Sequence, residues 1–175
     1  VIGKTIPSFN YTFGFDCSYN DLDFNIFFYG VSDFDIYNYQ RASLSGMNAQ
    51  DMNHNKLAAW GANHWTLENA STKYVRADVA NSNLNDRIST FWIENGSFLR
   101  VKDIQIGYNT PKKVITKLGL ASARIYVSAS NIYCFSNYQG RDPESFISSS
   151  PLSGGFDSGS YSVPHTFSMG MQIGF

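Results

Sequence analysis

From Phe9 to Tyr19 apolar and polar residues alternate without a break: Phe9, Tyr11, Phe13, Phe15, Cys17 and Tyr19 fall on one side of an extended chain, and Asn10, Thr12, Gly14, Asp16 and Ser18 on the other. A strand in a soluble sheet usually runs only ~5–6 residues. The last segment repeats the pattern, with Phe167, Met169, Met171, Ile173 and Phe175 alternating with Ser168, Gly170, Gln172 and Gly174. Strands of this length, bulky on one side and small or polar on the other, fit a sheet that crosses a bilayer at a tilt, for which ~9–11 residues suffice.

Three more strands are expected between these two. Asn20-Asp21 reads as a two-residue turn, because both residue types tolerate positive φ. The chain then returns with Leu22, Phe24, Ile26 and Phe28 against Asp23, Asn25, Phe27 and Tyr29. Across Ser97 to Thr110 the phase of the apolar residues changes from Leu99 and Val101 to Ile104, Ile106 and Tyr108, which predicts a bulge or a change of environment near Asp103. A short connection, Pro111 to Leu120, leads to a strand over Ala123 to Ser136. The two remaining segments, about 37–96 and 137–164, are long, polar and without clear period, apart from a short helix expected near Asn55 to Trp60. Loops beyond ~12–15 residues in a compact domain are usually functional or belong to a larger body.

Charged residues make up only 15% of the chain, against roughly 25% in soluble domains, while aromatic residues reach 16%. That balance implies that part of the surface faces something other than water. A net charge of −1 and a pI near 6.3 argue against nucleic acid as a partner. No run approaches the ~18 consecutive apolar residues of a transmembrane helix. Cys17 and Cys134 have neither a disulfide framework nor metal-ligand spacing and read as packing residues. Two all-β architectures fit the strands: a barrel wall with lipid on the apolar face, and a soluble β-sandwich that buries the same face against a second sheet. Short connections alternating with long ones match the periplasmic turns and extracellular loops of an outer-membrane barrel, and Tyr19 and Tyr108 sit where an interfacial aromatic girdle belongs. Five strands cannot close such a barrel, whose smallest members have about 8, so a larger body is expected.

Three runs carry a resemblance: FWIENGSFLRVKDIQIGYNTP (Phe91 to Pro111), ARIYVSASNIYCFSNYQGRDPE (Ala123 to Glu144) and GSYSVPHTFSMGMQIGF (Gly159 to Phe175). They resemble the end of the SusC/RagA-like TonB-dependent transporters of Bacteroidetes, with their W-I-E-D-G-S-F-L-R strand, G-x-D-P-E loop and Y-P-x-P-R-T-F ahead of a terminal aromatic strand. The hairpin through Gly30-Val31 to Asp35-Ile36-Tyr37-Asn38-Tyr39 resembles the one that precedes them. Glu68 to Arg76 lacks both prolines of the family's E-N-P-N-T-x-x-P-R segment, Ser162 replaces a proline, and His165 stands where Arg is common. The resemblance implies the C-terminal antiparallel strands, about five, of a transmembrane β-barrel of about 22 strands, with the whole chain, 1–175, in that segment and two outer loops at about 37–96 and 137–164. It also implies an N-terminal plug and a TonB-contact segment upstream, a SusD/RagB-like surface lipoprotein as lid, location in the outer membrane of a Gram-negative bacterium, and import of oligosaccharides or peptides. Phe175 then reads as the true end of the protein and the residue that the outer-membrane assembly machinery recognises.

On this reading Phe13, Phe15, Phe24, Ile26, Met169, Met171 and Ile173 face lipid, and Asp16, Asp23, Asn25, Tyr29, Arg100 and Lys102 face the lumen. Asp16 and Asp23 also admit a reading as paired carboxylates, and Arg100 and Lys102 as partners of neighbouring acids. Trp60, Trp65 and Tyr74 suit stacking on sugar rings or contact with a lid, and equally self-packing of the loop. Arg141 and Asp142 are candidate contacts in the second loop. Asp142 and Asp157 lack the dense oxygen spacing of a calcium loop, and His54, His64 and His165 stand singly, read as solvated or rim residues. With no nucleophile, phosphate-cradle or metal motif in the sequence, neither an enzyme nor a bound metal or cofactor is expected.

Overall fold

The computed structural model describes residues 1–46, 55–80, 82–85, 87–117, 119–146 and 154–175. In chain order the strands are β1 (Phe9–Tyr19), β2 (Leu22–Ser32), β3 (Asp35–Asn38), β4 (Ile93–Asn95), β5 (Phe98–Asn109), β6 (Ser122–Ser136), β7 (Phe156–Asp157) and β8 (Thr166–Gly174), and the helices are α1 (Tyr39–Ser45), α2 (Ala58–Asn63) and α3 (Lys112–Lys117). These form two compact units: Pro7–Asp33, Ser97–Asn137 and Ser162–Phe175 in a strand unit, and Val1–Ile6, Phe34–Gly96 and Tyr138–Tyr161 in a loop unit.

The strand unit is one antiparallel sheet in the order β1-β2-β5-β6-β8. Asn20 takes φ 55°, the left-handed conformation asparagine tolerates, and closes the β1–β2 hairpin. The register sorts the side chains into unbroken cross-strand rows. One apolar row runs Phe15, Ile26, Ile104, Ala129, Phe167; the next runs Cys17, Phe24, Ile106, Val127, Met169; a third runs Tyr19, Leu22, Tyr108, Ile125, Met171, with Ala123 and Ile173 paired beyond it. Phe13 stacks on Phe28 with ring centroids 4.7 Å apart. Between them on the other face lie Asp16, Asn25, Gln105, Ser128, Ser168 and the row Ser18, Asp23, Gly107, Tyr126, Gly170.

The expected bulge is present. The pairing of β2 with β5 jumps from Phe27–Asp103 to Phe28–Val101, so Lys102 is the extra residue, and the jump brings Leu99 and Val101 onto the face of Ile104. Opposite it β6 bends at Asn131, whose φ is 57°. Both long excursions, β2 to β5 and β6 to β8, leave from one end of the sheet, while Asn20-Asp21 and the α3 connection close the other.

The sandwich alternative fails on exposure. Phe13 is 50% exposed, Val127 48% and Met169 79%, so no second sheet covers the apolar face among the described residues. Contiguous apolar surface on this scale marks an interaction face or an aggregation hazard.

The loop unit is more ordered than its sequence implied. A three-stranded sheet, β4-β3-β7, pairs β3 antiparallel with β4 and parallel with β7. Phe34, Ile36, Trp60, Trp92, Tyr138 and Phe146 are buried within it. The expected helix near Asn55 to Trp60 lies at Ala58–Asn63 instead, because the chain is still extended at Leu57 (φ −63°, ψ 132°).

Candidate functional site

On the polar face of the sheet Asp23 is the centre of a network. Arg124 grips it with two donors, Nε at 3.1 Å and Nη2 at 2.5 Å, and Asn109 Nδ2 donates to it at 3.0 Å. The Arg124 guanidinium also lies 5.2 Å from the Tyr126 ring and 3.3 Å from Gln105 Oε1. Asp16 accepts from Asn25, so the two aspartates are not a carboxylate pair; each has its own partner. Arg100 is buried, with its guanidinium 5.9 Å from the Phe98 ring, and Lys102 Nζ lies 5.7 Å from the Tyr29 ring on the polar side.

Gly107 makes the Asp23–Arg124 pair possible. It stands on β5 between the two strands that the pair bridges, and a Cβ there would be built into the Asp23 carboxylate and the Arg124 guanidinium. Gly107→Ala is expected to cost up to about 1 kcal/mol, because the Cβ meets only the ends of two partly exposed side chains, which move aside by loosening their ion pair, and most of that cost should vanish when Asp23 and Arg124 are both replaced by Ser. Urea midpoints of the four species form the cycle; an equal cost in both backgrounds would show that Gly107 does not act through the pair.

In the loop unit the hub is Glu94, the acid of the W-I-E run. Its Oε1 accepts from Arg41 Nη1 (3.0 Å) and Asn38 Nδ2 (3.2 Å), and its Oε2 from the Gln139 backbone N–H (2.9 Å). One carboxylate thereby joins β4, α1 and the second excursion. Asn38 also caps α1 by accepting the Arg41 N–H at 2.7 Å. Arg41 lies over Phe91 (5.2 Å) and Trp92 (5.5 Å), and the Trp92 indole donates to the Asn85 carbonyl at 3.1 Å. Asp157, fully buried, accepts from the Tyr138 hydroxyl and from the Gly159 N–H, where the left-handed φ of 93° suits glycine. Burial, then that hydrogen bond and the negative charges of Asp157 and Glu94, hold the Tyr138 phenol well above its ordinary range.

The expected contact residues divide. Trp60 is 6% exposed; its indole donates to the Val75 carbonyl at 3.1 Å and its ring lies 5.3 Å from His64. Asp142 is 3% exposed, and its Oδ1 accepts the Glu144 N–H at 3.0 Å at the start of the 3₁₀ turn Pro143–Phe146. The D-P-E run is thus a cap followed by a proline suited to a first helical position. Both residues are interior supports: for Trp60 this is the self-packing alternative, and for Asp142 it replaces the expected contact. Trp65 and Tyr74 are half-buried, and Arg141 is exposed with its guanidinium 5.9 Å from the Tyr161 ring. His165 is exposed, and His54 lies outside the described residues.

Several cavities open among the described residues of this unit. One of about 440 Å³ is lined by Trp65, Tyr74, Arg76, Asn83, Asn85 and Phe91 among others, and one of about 240 Å³ by Asn38, Gln40, Arg41, Lys73, Tyr74 and Gln139 among others. Tyr74 is common to both. Sequence reasoning singled out Tyr74 and Trp65 but missed Arg41, Lys73 and Arg124, and left Glu94 and Gly107 without a role inside the run Phe91 to Pro111. Among the described residues no group of three His, Cys, Asp or Glu is placed to hold a metal ion.

No protein-family model matches the chain. TonB-dependent receptor P3 of Formosa agariphila is 32% identical over 180 residues, spanning all of this chain and 17% of the relative. TonB-dependent receptor SusC of Bacteroides thetaiotaomicron is 32% identical over 96 residues, 54% of this chain and 9% of the relative. Among solved structures, the RagAB peptide importer in its closed-closed state superposes on 98% of this chain and 18% of the matched chain, with a TM-score of 0.78 at 22% identity. The chain therefore spans less than a fifth of the length of these relatives. It is homologous to one stretch of the SusC/RagA-like TonB-dependent receptors and shares the antiparallel barrel-wall fold of that stretch.

Proposed function

We propose that the chain is the C-terminal wall segment of an outer-membrane importer, contributing five strands and two extracellular loops to a barrel energised through TonB. The observation that carries this reading is the sheet with an exposed apolar face opposite a hydrogen-bonded polar one. Phe13, Phe15, Phe24, Ile26, Met169, Met171 and Ile173 face lipid; Asp16, Asp23, Asn25, Tyr29, Arg100 and Lys102 face the lumen. Tyr19 and Tyr108, both paired with Leu22 at the short-turn end, form part of the interfacial girdle. The loop unit stands outside the membrane, where a SusD/RagB-like lipoprotein closes over it and oligosaccharide or peptide is taken up. The SusC and RagAB relatives support this partnership by analogy.

The test is the native polypeptide, extracted in detergent from outer membranes and run on gels unheated and heated. A species several times longer than this chain, compact until boiled and co-purifying with a surface lipoprotein, is the expected result. A free 19.6 kDa protein in the soluble fraction would overturn the reading.

A further inference from the structure

At the short-turn end of the sheet, the connection between β5 and β6 gathers positive charge. Pro111 precedes α3, and Gly119, with the left-handed φ of 68°, follows it. Ile115 is buried, while Lys113, Val114 and Lys117 lie on the other side of the helix, exposed, and Lys112 beside them is exposed as well. Lys113 and Lys117, four residues apart, repel each other along that side. Among the described residues none of the three lysines is in an ion pair. The acids at this end are Asp21, in the hairpin turn, and Asp23, which Arg124 holds; a carboxylate at Phe175 would still leave the lysines in surplus. Leu118, which lies outside the described residues, carries no charge.

A second feature lies on the apolar face of the same strands. Beyond the row Tyr108, Ile125, Met171 opens a trough of about 420 Å³, lined by Ile104, Ile106, Val127, Ala129, Phe167 and Met169 among others. Ala129 makes the room, as the small member of a row of Phe and Ile. Helix α3 packs on β6, the strand that leads into the trough. Val127 and Ala129 follow Ser122 by five and seven residues, which is about 17–23 Å along a strand and about 13–18 Å of depth at a tilt of ~40°. Half of a ~30 Å hydrocarbon core lies in that range, so the trough sits where the acyl chains of one leaflet end.

Only one class of ligand uses both features. A free phosphate or an acidic peptide would meet the lysines and leave the trough unused, and a zwitterionic lipid would bring an ammonium group to the lysines. Basic side chains beside a membrane attract anionic headgroups, and lysine stems reach along apolar surface to do so. We propose that this wall holds an anionic phospholipid of the periplasmic leaflet, with its phosphate on Lys112, Lys113 and Lys117 and an acyl chain running past Ile125 into the trough. The proposal rests on the barrel reading and adds a lipid partner to it.

Native mass spectrometry of the full-length receptor in non-ionic detergent, with phosphatidylglycerol or phosphatidylethanolamine of the same acyl chains added at equal concentration, tests it. Phosphatidylglycerol should bind at least fivefold more tightly, and the preference should shrink as salt rises. The triple variant Lys112→Gln/Lys113→Gln/Lys117→Gln should bring the preference below twofold, and the corresponding triple substitution by Arg should keep it. Ala129→Phe, which fills the trough and leaves the lysines in place, should weaken phosphatidylglycerol binding fivefold or more. Equal binding of the two lipids by the unaltered receptor, an undiminished preference in the Gln variant, or full binding in Ala129→Phe overturns the proposal. So does displacement of the lipid by tetraglutamate, which would assign the lysines to an acidic peptide. Unheated and heated gels of the same preparations report the barrel separately: a receptor that stays compact until boiled and binds both lipids equally defeats the lipid assignment alone.

Discussion

Ala129→Arg is expected to destabilise the full-length receptor in a lipid bilayer by about 2–4 kcal/mol, whereas Ser128→Arg, its neighbour in β6, is expected to change stability by less than about 0.5 kcal/mol. The contrast comes from the register alone. Ala129 lies in the row Phe15, Ile26, Ile104, Phe167, roughly halfway along β1 and β2, so an arginine there has no polar group beside it and no short route to either interface. Ser128 lies in the row Asp16, Asn25, Gln105, Ser168, where a guanidinium finds water and acceptors. If the apolar face met water instead of lipid, Ala129→Arg would be nearly silent, since charge on an open surface is tolerated. Urea unfolding in vesicles, followed by loss of the heat-modifiable band, measures both variants. Equal effects at 128 and 129 would remove lipid from that face.

The strand unit was legible because its signal is long and local. Alternation over β1 fixed its two faces, and the change of phase between Val101 and Ile104 pointed to a bulge or a change of environment near Asp103, which the pairing resolves as a bulge at Lys102. The loop unit was opaque for the opposite reason. Strands β3, β4 and β7 have only four, three and two residues, too few to establish a period, and β3 finds its parallel partner at Phe156–Asp157, far away in sequence. Side-chain chemistry misled in the same region. Trp60 suited contact and self-packing of the loop equally, and Asp142 looked like a contact residue because acidic groups in loops often are, yet the two excursions are large enough to have an interior, and both residues belong to it. The Asp23–Arg124 pair was hidden because its partners stand two strands apart and because the residue that permits it, Gly107, contributes nothing but the lack of a side chain.

That interior has a keystone, and its removal gives the second large effect. Trp92 is 1% exposed; its indole N–H satisfies the Asn85 carbonyl, its ring stacks edge-on with Phe91 at 4.7 Å, and Arg41 lies over it on the way to Glu94. Trp92→Ala is expected to cost about 3–5 kcal/mol, because the cavity left behind also strands a carbonyl and loosens the cation that holds the Glu94 hub. Trp92→Phe, which keeps most of the packing and loses the N–H, is expected to cost only about 1 kcal/mol beyond the volume lost. The damage should stay within Phe34–Gly96 and Tyr138–Tyr161, since the strand unit has its own hydrogen-bonded register. Limited proteolysis should therefore open new cleavage sites between residues 55 and 91 in Trp92→Ala while the barrel still resists denaturation in unheated detergent. A Trp92→Ala receptor with an unchanged digestion pattern would mean that the loop unit draws its stability from elsewhere, and one that lost its barrel would mean that the two units do not fold independently.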